Sequence, residues 1–259
     1  MKEMYKYNDA EYLLCLALDV GAGMLKNGGE VARVENTVEL ICKAYGAVHV
    51  EVFTIISVIH AAVRMPDGSY SSQIRRIHIT GNDFYKLELF NEVSRKVCST
   101  TPPLDIFDEM IKDVKKHKGY PACIKILASA SVAAAFALFF QGKLVDILIA
   151  AIVGAVIALI DIFTPSKTNS LAKIVISSFA AGLLSYGAEF IGLGDNAGTV
   201  MIGAIMLLVP GTAFGTALRD LLCGDLLTGT LKTVQAILSA LMIAAGYMLS
   251  VAVFGGVSL

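Results

Sequence analysis

The chain has 259 residues, of which 56% are hydrophobic, with a mean hydropathy of +0.68 and a formal net charge of −1. Soluble domains are usually about 45–50% apolar, so the composition argues against a wholly water-soluble protein. The near-neutral charge, without a basic block, argues against a nucleic-acid-binding protein, and no nucleic-acid partner is expected.

Charged residues are concentrated in the first 118 residues, which hold 15 of the 21 lysines and arginines and 16 of the 22 aspartates and glutamates. This division predicts a soluble, cytoplasmic α+β domain over residues 1–118 and an α-helical transmembrane domain over residues 119–259. The N-terminal segment MKEMYKYNDAEYLL lacks a cationic region followed by an unbroken apolar stretch, so no signal peptide is expected.

The apolar residues of the N-terminal domain change from helical to strand spacing and back. Asn27-Gly28-Gly29 separates the first two helices, and Gly46 fits the left-handed position that ends the second. Asn82 or Asp83 caps the third helix, and Pro102-Pro103 opens the fourth. The predicted order is ααβββαα, with helices at 11–26, 30–45, 84–97 and 104–118 and strands at about 48–56, 57–64 and 70–79.

Five cysteines are scattered singly, without a CxxC pair, so a reducing compartment is expected for the soluble domain. They are Cys15, Cys42, Cys98, Cys123 and Cys223. The histidines show no metal-ligand spacing, and no GxSxG or Cys/His signature is present; they are His49, His60, His78 and His117. We expect neither a metal nor another cofactor and no enzyme activity, which leaves a membrane-tethered hydrolase as the weakest alternative.

Five stretches of the C-terminal domain are apolar and, at about 20 residues, long enough to cross a bilayer as helices. The fourth is interrupted by Val209-Pro210-Gly211-Thr212. The predicted spans are 122–140, 144–163, 174–190, 197–218 (broken at 210–211) and 234–254. The sequence therefore predicts a polytopic α-helical protein of the lipid bilayer.

Lysines and arginines near the helix ends predict the orientation, because cytoplasmic flanks carry an excess of them. With the N-terminal domain in the cytoplasm, nine such residues lie on the inner flanks and only Lys143 lies outside. The nine are Lys112, Lys115, Lys116, Lys118, Lys125, Lys167, Lys173, Arg219 and Lys232. We expect a multi-pass protein of the cell (inner) membrane with a cytoplasmic N-terminus and an external C-terminus.

The predicted spans are rich in small residues, which let helices approach closely in lipid. Gly211-Thr-Ala-Phe-Gly215 matches the small-xxx-small pattern directly. Other small faces are Ala151/Ala155, Ser177-Ser178 with Ala181-Gly182, and Gly246/Ser250. These faces predict that the spans pack against one another or against a partner subunit, and a homo-oligomer is also open.

The interruption at Pro210, Gly211 and Thr212 is the most informative feature of the transmembrane domain. Broken helices in transporters expose half-helix N-termini that hold anionic groups, so an amino-acid or dicarboxylate substrate would fit here. A simple proline kink, which membrane helices tolerate, is an equally weighted alternative.

The segment Arg219-Asp220-Leu-Leu-Cys-Gly-Asp225-Leu-Leu-Thr-Gly229 follows the fourth span. As a substrate-binding or gating turn, Arg219 would engage a carboxylate, and Asp220 or Asp225 would take an ammonium group or a proton. The equally weighted alternative is a polar loop in which Arg219 pairs with an aspartate. Four further carboxylates near helix ends are expected at solvated boundaries, although one that faced the bundle would be a proton-coupling candidate: Asp146, Asp161, Glu189 and Asp195.

Gly28, Gly29, Glu30, Arg33 and Glu35 form the candidate motif of the soluble domain. The glycines end one helix, and Glu30 is expected in the first turn of the next, where the helix dipole favours an anion. A loop that enters a helix can bind phosphate, but the segment lacks the GxGxxG and GxxxxGK[ST] spacings. Helix capping is therefore the better account.

Three stretches are informative when taken together: GGEVARVENTVELICKAYG at 28–46, IRRIHI at 74–79 followed by NDFYKLELFNEV at 82–93, and, most specific, IMLLVPGTAFGTALRDLLCGDLLTG at 205–229. They resemble the N-terminal, larger component of the threonine/serine exporter (ThrE-like) family. The resemblance covers nearly the whole chain. It implies an inner-membrane exporter of threonine and serine, or of a dicarboxylate such as succinate, driven by the proton-motive force.

Fused members of that family carry further spans and a second small domain, whereas this sequence ends after its fifth predicted span. It therefore resembles the split form, which implies a small second membrane subunit of the same family as partner. The rival hypothesis is a membrane-anchored regulatory or assembly protein whose soluble domain is the working part, because transport alone does not obviously need a folded domain of this size.

Overall fold

The computed structural model describes residues 9–77, 81–117, 119–165 and 168–255. Lys118, Lys167, His78 and the predicted end of the third strand lie outside these residues. The described elements are α1 (Asp9–Lys26), α2 (Val31–Ala44), β1 (His49–Ile55), β2 (Val58–Arg64), β3 (Tyr70–Arg76), α3 (Phe84–Thr100), α4 (Leu104–Lys116), α5 (Ala122–Phe139), α6 (Leu144–Phe163), α7 (Ser170–Phe190), α8 (Ala197–Ile205), α9 (Gly211–Cys223) and α10 (Leu226–Gly255).

The chain divides into two compact units. The first comprises the chain up to Gly119 together with Gly215–Lys232, and the second comprises Tyr120–Phe214 together with the chain from Thr233 onward. The end of α9 and the start of α10 thus belong to the first unit, although the sequence places them among the transmembrane residues.

The first unit is built around α1, and its elements follow the predicted order ααβββαα. The three strands form an antiparallel sheet in the order β1-β2-β3. Leu14 and Leu18 of α1 are fully buried, and the helix packs against α2, α3, α4 and the sheet. A Cβ on Gly23 would lie 2.4 Å from the ring of Phe90, so glycine is needed where α1 meets α3.

The helix ends of the first unit follow the predicted signals, with one correction. Gly28 and Gly46 have φ of +94° and +90°, the left-handed conformation that glycine favours. Asp83 caps α3, because its Oδ1 accepts the Lys86 N–H at 3.1 Å. Glu30 lies just before α2 with extended backbone, so its placement in the first helical turn is wrong by one residue. Its side chain is therefore free to reach beyond the helix.

Four helices within the described residues are long and apolar enough to cross a membrane: Ala122–Phe139, Leu144–Phe163, Ser170–Phe190 and Leu226–Phe254. The fourth predicted span is divided into α8, of nine residues, and α9, of 13 residues, with residues 206–210 outside both helices. Neither helix alone is long enough to cross a membrane. The predicted count of five transmembrane spans therefore requires α8 and α9 to cross the bilayer together as one span. The α-helical membrane class is confirmed.

The second unit has small residues inside and large apolar residues outside. Ala137, Ala150 and Ala181 are fully buried, whereas Leu144 and Phe163 are 73% and 80% exposed. This arrangement is expected where hydrocarbon is the solvent, because helices in lipid associate through close packing of small residues rather than through burial of leucine.

The α7 and α10 helices meet through two of the predicted small-residue faces. Ser178 Oγ donates a hydrogen bond to Ile243 O at 2.6 Å. A Cβ on Gly182 would lie 1.9 Å from Ser250 Oγ, and a Cβ on Gly246 would lie 2.6 Å from a backbone oxygen of α7. The prediction that spans pack against one another is confirmed for this pair.

Candidate functional site

Arg219 and Glu30 form an ion pair that joins two motifs distant in the sequence. The distance from Arg219 Nη1 to Glu30 Oε1 is 2.7 Å. The Glu30 side chain is 24% exposed and that of Arg219 is 64% exposed, so solvent reaches the guanidinium. Arg219 thus pairs with Glu30 and not with an aspartate of its own turn. Its remaining N–H groups can donate hydrogen bonds to a second carboxylate.

A buried ion pair holds α9 and α10 together as a hairpin. Lys232 Nζ lies 2.6 Å from Asp220 Oδ2, and the two side chains are 15% and 3% exposed. The Asp225 N–H donates to Asp220 O at 2.9 Å within the turn. A Cβ on Gly229 would lie 2.6 Å from Leu221 Cγ, so glycine permits the close approach of the helices. Asp220 is therefore held inside the hairpin by Lys232.

Glu35 of the soluble-domain motif is affected by the charge of Asp225 in the same hairpin. Its Oε1 accepts a hydrogen bond from the Thr54 N–H at 2.7 Å. Burial raises the pKa of Glu35 most, and the charge of Asp225 raises it further, while the hydrogen bond from the Thr54 N–H opposes the shift. Within the described part of the chain, neither Glu35 nor Asp225 belongs to an ion pair. Glu35 is therefore a carboxyl group that holds its proton more readily than an exposed glutamate does.

Replacing Glu35 with glutamine is expected to flatten the dependence of stability on pH. The folded-state pKa lies above the ordinary value of 4.5, so the folded chain binds more protons and its stability falls as the pH rises from 4.5 through the folded-state pKa. Glutamine keeps an oxygen for the Thr54 N–H but carries no charge. Urea unfolding of purified E35Q between pH 4.5 and 8 should show a smaller slope and no loss of stability at pH 7.

The Asp225→Asn variant provides the matched comparison for this titration. Removing the negative charge of Asp225 lowers the pKa of Glu35 toward its ordinary value, so D225N should lose part of the slope that E35Q loses. A wild-type slope in E35Q would show that Glu35 does not titrate as its surroundings indicate.

We call Glu30, Glu35, Thr54, Arg219, Asp220, Asp225 and Lys232 the charged cluster. The other residues of the soluble-domain motif, Gly28, Gly29 and Arg33, do not belong to it. Arg33 is exposed and contributes, after Arg95, to lowering the pKa of Glu88 in α3. Gly28 is in the left-handed conformation, and a Cβ on Gly29 would lie 2.8 Å from a backbone oxygen of α1. The two glycines therefore form the turn between α1 and α2, whereas the Glu30 side chain makes no capping hydrogen bond to α2.

Pro210, Gly211 and Thr212 belong to the second unit. The Phe214 N–H donates to Pro210 O at 2.9 Å, which is the first helical hydrogen bond of α9. Proline fits a helix start because its missing N–H would have no partner there. These residues therefore begin a new helix after an interruption, which is more than a kink in a continuous one.

Asp146 corrects the sequence interpretation of the carboxylates near helix ends. It is 1% exposed, and its oxygens accept N–H groups of Lys143, Asp195 and Asn196 at 3.2, 3.0 and 3.3 Å. The prediction that Asp146 lies at a solvated boundary is therefore wrong, because the loop between α7 and α8 folds over its carboxylate. The other three are exposed: Asp161, Glu189 and Asp195.

Lys232 and Thr54 are the members of the cluster that the sequence interpretation missed. Lys232 enters only as one more inner-flank cation, although a lone lysine within an apolar helix is itself a signal for a buried partner. Within the described residues, no group of three or more His, Cys, Asp or Glu side chains could hold a metal ion. The arrangement offers carboxylate binding at Arg219 and a carboxyl group with a raised pKa at Glu35.

Comparison with known protein families places most of the chain in one of them. The family ThrE, described as "Putative threonine/serine exporter", matches residues 15–254, nearly the whole chain. No curated protein and no solved structure matches.

Proposed function

The chain belongs to the ThrE family of threonine/serine exporters, and from this premise we propose that it is a subunit of a membrane exporter for small carboxylates. The substrates are threonine and serine, or a dicarboxylate such as succinate, and the proton-motive force drives export. The observation that carries the proposal is the family match over residues 15–254. The interrupted segment between α8 and α9 supports it, because broken helices in transporters bind anionic groups.

Arg219 and Glu30 form the gate in this proposal. The guanidinium is paired with Glu30 but still open to solvent, so a substrate carboxylate can replace Glu30 as its partner. Exchange of one carboxylate for another costs little, because the charge of Arg219 stays neutralised throughout. Glu35 is the proton-carrying group in this proposal, since burial already favours its protonated form.

An efflux assay with charge reversal tests the gate. We expect cells that co-express the chain with its partner to release labelled threonine, serine or succinate when a proton gradient is imposed. R219E should abolish release, and the swapped E30R/R219E variant should recover part of it. Reversal of the exposed Arg95, which pairs with Glu88 at 2.7 Å, is the matched control and should leave efflux unchanged. Absence of efflux for every small carboxylate, with the complex intact, refutes the proposal.

The partner is a small second membrane subunit of the same family in this proposal. Gly211 and Gly215 of α9 support it, because a Cβ on either glycine would meet no described atom within 4 Å apart from its chain neighbours and the backbone of α9 itself. A small-residue face left open in this way can receive a helix of another subunit. Co-purification with the partner should be lost in G211L/G215L and kept in A135L, which enlarges an exposed alanine of α5.

The proposed orientation places the N-terminus in the cytoplasm and the C-terminus outside the cell membrane. Cys223 is exposed within the first unit, whereas burial raises the pKa of Cys42 to about 12 and leaves its thiol unreactive. In a variant that keeps only Cys223, a membrane-impermeant maleimide should label permeabilised cells but not intact ones. A variant that keeps only Cys42 should stay unlabelled in both until urea is added. Labelling of Cys223 in intact cells would reverse the orientation.

The alternative function is a membrane-anchored regulatory or assembly protein. The first unit favours it, since this unit has its own hydrophobic core and also holds residues 215–232. In that case efflux from the partner alone would persist, and adding the chain would change its rate without changing the substrate dependence. A substrate preference that shifts with Arg219 substitutions excludes this alternative.

A further inference from the structure

A cavity of about 380 Å³ lies in the second unit, where α5 begins, α6 ends and α7 begins. Its lining combines two ammonium groups, one carboxylate and an apolar wall. The lining residues are Ala122, Lys125, Asp161, Ile162, Thr164 and Lys173. The volume is within the range of small-ligand sites, about 300–1,000 Å³. None of these residues belongs to the gate.

The two lysines bring positive charge that the protein only partly neutralises. Lys173 Nζ is 3.6 Å from Asp161 Oδ1 and 3.4 Å from Thr164 O, both longer than a normal hydrogen bond of about 2.7–3.2 Å. No described residue pairs with the Lys125 ammonium. Since Asp161 is 75% exposed, its charge is largely solvated. The cavity therefore carries a net charge of about +1 available to a ligand.

The position of the cavity narrows the class of ligand. Lys125 is in the first turn of α5, Lys173 in the first turn of α7 and Asp161 in the last turn of α6, and all three helices are apolar enough to span a membrane. Ends of spanning helices lie at the level of lipid headgroups, where lysines attract anionic lipid by about 1 kcal/mol each. Ala122 and Ile162 supply an apolar wall, which a lipid glycerol and acyl chain can contact but a free anion cannot use.

We propose that this cavity binds the phosphodiester headgroup of an anionic phospholipid, with the phosphate between Lys125 and Lys173. The net charge of the lining matches the single negative charge of phosphatidylglycerol. Asp161 limits the affinity and favours a headgroup whose polar end can donate a hydrogen bond to it, as the hydroxyls of glycerol do. The site rests on the membrane location of the chain and not on transport, so it can fail while the proposed function stands.

The test measures binding of short-chain phosphatidylglycerol to the full chain in neutral detergent. Short-chain phosphatidylcholine and inorganic phosphate are the comparison probes. We expect phosphatidylglycerol to bind more tightly than either, and K125Q/K173Q to weaken its binding about thirtyfold, or about fivefold for each lysine. K143Q removes an exposed lysine at the opposite ends of α5 and α6 and should leave binding unchanged.

The Asp161→Asn variant keeps the test decisive if the double lysine variant does not fold. D161N removes the negative charge beside the proposed phosphate position, so phosphatidylglycerol should bind severalfold more tightly, a gain that misfolding cannot produce. Equal binding of all three probes, or equal loss in K143Q and K125Q/K173Q, overturns the proposal. Inorganic phosphate that binds as tightly as phosphatidylglycerol would overturn the lipid assignment as well.

Discussion

Replacing Lys232 with methionine is expected to destabilise the chain by about 3–5 kcal/mol, because it leaves the Asp220 carboxylate buried without its partner. The Asp220 side chain is 3% exposed, so water cannot take the place of the ammonium group at 2.6 Å. Methionine fills nearly the same volume as the lysine stem and keeps the apolar packing. Urea unfolding of K232M against wild type in the same detergent measures the loss.

Two further variants distinguish the effect of leaving Asp220 without an ion-pair partner from the effect of removing the lysine side chain itself. In D220N/K232M no buried charge remains, so most of the stability should return. Lys116 pairs with Asp113 at 3.1 Å with both side chains 76% exposed, and K116M should cost less than about 1 kcal/mol. If the free energy of unfolding of K232M lay within about 1 kcal/mol of the wild-type value, Asp220 would be available for the role of binding an ammonium group or a proton that the sequence also predicts.

The fold of the first unit could be predicted because its signals are local. Gly28, Gly46 and Asp83 each mark a helix end through the conformation or hydrogen bond of that one residue. The strands follow from side-chain alternation in the same way. The position of Glu30 differs from the prediction by one residue because the Gly29 N–H donates to Met24 O at 2.9 Å, which uses one more residue before α2 begins. Sequence periodicity does not reveal such a bond.

The pairings within the candidate site could not be predicted, because each depends on tertiary placement. Arg219 and Glu30 are 189 residues apart, and nothing in either motif indicates the other. Asp146 is buried by N–H groups of a loop 49 and 50 residues later, so its position near a helix end carries too little information.

The small-residue faces could be predicted only in part. The sequence identifies them but does not show which of them pack against another helix. Gly211 and Gly215 have the clearest pattern, yet a Cβ on either would meet no described atom within 4 Å apart from its chain neighbours and the backbone of α9. Gly246, in a less regular pattern, is tightly packed. Which face is filled depends on the neighbouring helix, and that neighbour is a property of the tertiary fold.

Adding one methyl group at Gly246 is expected to push α10 away from α7 and to destabilise the chain by about 1–3 kcal/mol. The new Cβ would lie 2.6 Å from Val175 O and 3.0 Å from Phe179 N, both backbone atoms that cannot turn aside as a side chain can. Alanine favours a helix over glycine by about 1 kcal/mol, so a loss in G246A reports the contact and not the helix. Thermal unfolding in detergent measures it, and efflux should fall in parallel.

The matched substitution G187A separates helix packing from helix propensity. Gly187 lies in α7, but its Cβ would be 3.8 Å from the Phe254 ring, an ordinary contact, so G187A should be neutral or stabilising. A Cβ on Gly182 would lie 1.9 Å from Ser250 Oγ, and G182A should therefore destabilise, whereas G182A/S250G removes the conflicting atoms and should recover most of the loss. Equal effects of G246A and G187A would mean that α7 and α10 are not in backbone contact. The recovery in the double variant would place Gly182 and Ser250 against each other independently of any transport measurement.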